Sequence, residues 1–202
     1  MAPSRRVHVI KSPLQSAALA SAARQEIVDV LSRMGTVTVA ELAAALGRPA
    51  DALYYHLRVL VRAGLVVPIA SGRPHGRRDT RFRTIAPELH LQYSSADPKR
   101  VRSTSAIVSS MLRLGIRDFR RSLAGGAAQL SGPGRELWAL RATGWLTPQD
   151  IHHVNNKVQR LRDAVWKPKG TGRLYGITIL LTPLDHRRRK SRRAAPDKKR
   201  RT

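Results

Sequence analysis

The stretch from Thr38 to Gly64 constrains this 202-residue chain more than any other part of it. Thr38 and Glu41 make the T-x-x-E pattern of a capping box, in which hydroxyl and carboxylate each satisfy an orphan backbone donor at a helix start. Leu42, Ala45 and Leu46 are the expected inward face of that helix. Gly47 is placed to end it in a left-handed cap. Only Gly47-Arg48-Pro49 separates it from another helix, predicted over about 50–63 and stopped by Gly64. At about 100° per residue, Leu53, Leu57, Leu60 and Val61 gather on one side of this second helix, and Asp51, Tyr55, Arg58 and Arg62 on the other.

The flanks extend the pattern. Ser12-Pro13 reads as a helix start with proline at the first position. Ala23, Ile27, Val30, Leu31 and Met34 then line one helical face up to Gly35. After Gly64, residues 65–70 are strand-like, 71–79 are rich in turn formers, and 80–85 alternate as a β-strand does. This is a hairpin with a long basic tip. Three helices, a tight turn between the last two and a basic hairpin form the plan of a winged helix-turn-helix.

The remainder is less patterned. Residues 87–98 are polar and read as a linker, and 106–123 as a helix with Val108, Met111, Leu112 and Phe119 on one face. Residues 124–134 read as a loop, 136–146 as a strand, and Thr147-Pro148-Gln149-Asp150 as a helix start. Ile151, Val154, Val158, Leu161 and Val165 follow in the narrow seam of a helix that packs on a partner helix. Residues 174–181 read as a second strand. The expected fold class is therefore α+β and mostly helical. It has a winged helix-turn-helix over 13–86, a linker over 87–98, a small helix and strand region for dimerisation or effector binding over 99–184, and a disordered basic tail over 185–202.

Charge points to the partner. The net charge is +25, from 38 Lys and Arg against 13 Asp and Glu, which implies a polyanion: nucleic acid or an anionic membrane surface. Arg outnumbers Lys 30 to 8. That suits bidentate phosphate and guanine contacts, and it is equally what GC-rich coding produces. The tail over 187–201 holds ten Lys and Arg and one Asp, a local net of +9, and suits non-specific phosphate binding. It carries no amphipathic or lipidation signal, which favours DNA over membrane. The absence of cysteine excludes disulfides and thiolate metal sites. No stretch has signal-peptide or transmembrane character, so a cytoplasmic, nucleoid-associated protein is expected.

The candidate DNA-contacting residues follow from this layout. Asp51, Tyr55, Arg58 and Arg62 can reach base edges and phosphates in a major groove, and Ala50 and Ala52 keep the helix tip small. Asp51 can accept from a cytosine amino group or interact with the helix N-terminus. Arg48 in the turn, Tyr54 in the helix, and Arg73, His75, Arg77, Arg78 and Arg81 in the hairpin complete the set. Arginines at a wing tip suit phosphate contact or a narrow minor groove.

The segments 21–31, 39–47 and 53–66, the last reading LYYHLRVLVRAGLV, together with the wing residues 77–83, resemble the arsenic-repressor (ArsR-like) winged-helix regulators. The resemblance covers about residues 13–86, and MarR-like and PadR-like regulators share its plan. It implies a bacterial homodimeric repressor on a pseudo-palindromic operator, with Asp51, Ala52, Tyr55 and Arg58 facing the DNA. Metal-sensing members of such families need cysteines or a helix-borne Asp/His set. Asp150 and His152 have the spacing of half such a set, but Asp163 and Trp166 occupy the partner positions, so no metal and no cofactor is expected. Trp138, Trp145 and Trp166 are candidates for core or for a small sensor pocket, leaving a small-molecule effector of unidentified kind open. Walker, G-x-S-x-G and H-E-x-x-H motifs are missing, so no enzyme is expected. Two alternatives stand beside the regulator: an architectural DNA-coating protein, and a winged helix that binds RNA or protein.

Overall fold

The structure, a computed structural model, describes residues 7–70, 80–166 and 172–184. The fold is α+β. Strand β1 (Val7–Ile10) leads into helices α1 (Pro13–Leu19) and α2 (Ala22–Met34). The short β2 (Val37–Thr38), α3 (Val39–Leu46) and α4 (Ala50–Arg62) follow, then β3 (Val66–Ile69), β4 (Arg81–Thr84) and β5 (Glu88–Leu91). Two helices, α5 (Pro98–Ala124) and α6 (Pro148–Val165), complete the order.

The single helix expected from Ser12 to Gly35 is broken in two. Side chains explain how the break is held. The last carbonyls of α1 need donor partners. Arg24 donates to the carbonyls of Ala17 and Ala18 at 3.1 and 2.5 Å. The buried Gln25 donates to the carbonyl of Leu19 at 2.6 Å and to that of Ile107 on α5 at 3.0 Å. One amide thus ties α1, α2 and α5 together.

The capping box is present in both halves: Glu41 N–H donates to the Thr38 hydroxyl, and Thr38 N–H to the Glu41 carboxylate. Gly47 takes the left-handed conformation, φ 61° and ψ 39°. The buried face of α3 is Val39, Leu42, Ala43 and Leu46. Ala43 lies inside where Ala45 was expected, because the apolar stripe of this short helix begins at Val39. On α4, Leu53, Leu57 and Leu60 are buried, and Val61 packs half-buried against the same core. That core joins them to Ile27, Leu31, Leu42 and Leu65.

The hairpin forms as β3 and β4, antiparallel with Val66 opposite Thr84, and β2 adds to the other edge of β4. Its tip over 71–79 lies outside the described residues, as does the basic tail. Three strands were not expected, the short β2 among them. Residues 88–91 within the supposed linker form β5, which pairs in parallel with β1, Val7 opposite Glu88. The long α5 starts at the Asp97 cap and buries Ile107, Ser110 and Leu114. The stripe expected there, Val108, Met111, Leu112 and Phe119, is only half-buried.

The last part of the chain departs most from expectation. Helix α6 has the expected Thr147–Asp150 capping box, yet none of its residues is buried. The strands expected over 136–146 and 174–181 join no sheet among the described residues. Trp138 and Trp145 are 68% and 76% exposed, so neither belongs to a core formed by the described residues. Trp166 lies under the Arg33 guanidinium, 5.1 Å from its ring centre.

Candidate nucleic-acid interface

Helix α4 is positioned from behind. Leu53, Leu57 and Leu60 anchor it, Gly64 at φ 68° turns the chain away from its end, and Leu65 N–H donates back to the carbonyl of Leu60 at 3.0 Å. Helix and core thus fix the rotation of α4, and rotation decides which side chains face out. Asp51, Ala52, Tyr55, Arg58 and Arg62 do, with Tyr55 60% exposed. Asp51 sits in the first turn, where the helix dipole favours an anion. The Tyr55 ring meets the His56 ring edge-on, 5.4 Å between centres. Neither Arg58 nor Arg62 forms an ion pair with another described residue. Two guanidiniums and a phenol therefore project from one rigid face.

Other candidate residues are placed differently. Tyr54 is half-buried and packs on the core, and so does Ala50. Arg48 is held from the inside: its guanidinium donates to Glu26 on α2 at 2.6 Å. Arg81 is exposed at the wing base, donating to the carbonyl of Thr36 at 3.2 Å with the Glu41 carboxylate 3.9 Å away. Arg73, His75, Arg77 and Arg78 lie outside the described residues. Arg83 joins the exposed set although the sequence reading passed over it. The signal was there in Arg81-Phe82-Arg83-Thr84: strand alternation turns Phe82 and Thr84 inward and both arginines outward.

Glu26 also links the α3–α4 turn to the rest of the chain. Its carboxylate, 12% exposed, accepts from Arg48 and, through both oxygens, from Arg117 on α5 at 2.5 and 3.1 Å. Arg117 donates in turn to Asp118. Glu26→Gln keeps the shape and removes the charge on which two part-buried guanidiniums depend. Hydrogen bonds to charged groups are among the stronger ones. With both arginines partly solvated, the expected loss is about 1–2 kcal/mol of unfolding free energy in urea titration. His56, one residue beyond Tyr55, is held below its ordinary pKa by burial and then by the positive charges of Arg24 and Arg48. It is neutral at pH 7, and its contribution to stability fades as pH falls below the ordinary histidine value, where the unfolded chain takes up the proton first.

Residues 19–69 match a family model described as a helix-turn-helix domain. Over that segment the chain is similar to this family, and α3, the short turn and α4 have the arrangement its description names. The segment comprises α2, β2, α3, α4 and β3, and so includes the helix that carries Arg58 and Arg62, while Arg81 and Arg83 on β4 lie beyond it. Among solved structures, the chain is similar to a "possible transcriptional regulator for arsenical resistance". Identity is 27%, coverage is 57% of this chain and 99% of that one, and the TM-score is 0.31. It is also similar to reduced MarR from E. coli, 15% identical over 73% of this chain and 85% of that one, TM-score 0.30. An S. aureus MepR mutant bound to an oligodeoxyribonucleotide is 11% identical over 76% and 79% of the two chains, TM-score 0.24. TM-scores this low leave the helix-turn-helix match, not the global superposition, as the finding. No curated protein matches the chain.

Proposed function

We propose that this chain is a sequence-specific double-stranded DNA-binding protein that regulates transcription as a homodimer. One observation carries the reading: α4 is locked by buried leucines so that Tyr55, Arg58 and Arg62 point away from the protein, beside the small Ala52. Arginines on a rigid helix suit guanine edges and phosphates in a major groove. The exposed Arg81 and Arg83 extend the basic surface along the wing, where backbone contacts position a reading helix. Repression, by the resemblance to ArsR-like proteins, is the proposed mode. The net charge of +25 favours a second reading, a DNA-coating protein with little sequence choice.

The deciding experiment binds purified protein to sheared genomic DNA at physiological salt with excess polyanion competitor, then sequences what is retained. Enrichment of a few fragments that share an inverted repeat is the expected result. Uniform retention, or none once competitor is present, would replace the regulator with the DNA-coating reading.

A further inference from the structure

Two runs of extended chain, 137–146 and 174–184, have no strand partner. Among the described residues, no backbone–backbone hydrogen bond joins either run to another segment. An extended backbone without a ladder is a template for pairing. The composition agrees: Tyr175, Ile177, Thr178 and Ile179 are strand formers. The second run lies close over α5, where a side chain at Gly115 would approach the Thr178 hydroxyl to 3.2 Å. Every residue of it is exposed, and Tyr175 donates to the Glu136 carboxylate beside the first run.

The exposed surface is large. Eleven big apolar side chains on and between these runs, outside α6, are 42% to 83% exposed, with Leu140 at the upper end. At ~200 Å² per large side chain they leave roughly 1,000 Å² or more uncovered, above the ~800 Å² each partner contributes to a standard interface. Large apolar side chains left exposed in this number mark an interaction surface.

The chain's remaining segments do not have the composition to fill an apolar face. Residues 1–6, 71–79, 167–171 and 185–202 are short or basic, and none holds an apolar run. DNA does not suit it either, because residues 174–184 contain no charged side chain. On a chain of net charge +25, two copies repel each other over most of their surface. These apolar runs, with Arg141 their one charged side chain, are where they can meet. Two-fold symmetry then matches each edge with its own copy, so one surface serves both partners.

We infer that the runs 137–146 and 174–184 form the self-association surface, pairing with the same runs of a second copy into an intermolecular sheet. The inference rests on the homodimer of the proposed function and assigns its contact surface. It is tested on the nuclease-treated full chain at high salt, which strips residual nucleic acid. Sedimentation velocity should give twice the chain mass, and the Leu140→Asp, Leu180→Asp double variant should sediment as a monomer, its dissociation constant raised at least ~100-fold. Hydrogen exchange on the unaltered protein gives a second readout that needs no variant to fold. Amides over 174–184 should be protected in the dimer and exchange quickly on dilution to monomer. A monomer at every concentration would overturn both this surface and the homodimer, while leaving DNA binding by α4 to be judged on its own. A dimer that survives the double variant, or one in which these amides exchange freely, would overturn the surface and leave the homodimer standing.

Discussion

Replacing Tyr55 and Arg58 together by alanine is expected to weaken binding to the preferred DNA site by about 100-fold or more at fixed salt, since each good base contact is worth ~1–3 kcal/mol. Both side chains project from the outer face of α4, and neither is on the core side where Leu53, Leu57 and Leu60 lie. The loss should therefore come from the interface and not from the fold. Random duplex should behave differently. Its binding depends on counterion release by many phosphate contacts, and the chain keeps 37 of its 38 Lys and Arg when Arg58 is removed. Affinity for random duplex should fall by less than ~10-fold, and the slope of log affinity against log salt should change by about one contact. Fluorescence anisotropy with site and random duplexes, each across a salt series, measures both quantities. Equal losses on the two duplexes would show that α4 contributes charge alone.

The helix-turn-helix was legible because local and tertiary rules agree there. The capping box at Thr38 and Glu41, the left-handed Gly47 and the leucine stripe of α4 are all short-range patterns, and the core uses each as written. Where tertiary contacts override local ones, the reading failed. The break between α1 and α2 depends on Arg24 and Gln25 reaching back to carbonyls of the preceding turns, and Gln25 also needs α5. A stretch near Ile107 cannot be paired with Gln25 from periodicity. β1 and β5 are four residues each and exist through a parallel pairing across most of the first half of the chain. Arg48 looked like a free cation in a turn, yet Glu26, on another helix, holds it. The two runs beyond α5 have the composition of strands and no ladder within the described chain, so composition alone predicted strands that the described residues do not form.

The helix that presents the basic face is also anchored by fully buried leucines. Leu57 is 1% exposed at the centre of α4, and it packs within the core formed with Leu31, Leu42 and Leu60. Leu57→Ala removes three buried carbons and leaves a cavity that α4 cannot close without moving toward α2 and α3. The expected loss is about 2–5 kcal/mol, a large share of the ~5–15 kcal/mol by which such domains are stable. The midpoint of thermal unfolding, read by circular dichroism, should fall by on the order of 15 °C. Tyr55→Ala, two residues away on the outer face, should change it little. DNA binding separates the two kinds of variant. Leu57→Ala should regain site affinity at low temperature, where the folded population recovers, because its outward side chains are intact. The Tyr55, Arg58 double variant should stay weak at every temperature at which it is folded. A Leu57→Ala protein that unfolds normally yet fails to bind when cold would show that a small rotation of α4 is enough to misdirect its arginines, so that the leucine stripe sets specificity as well as stability.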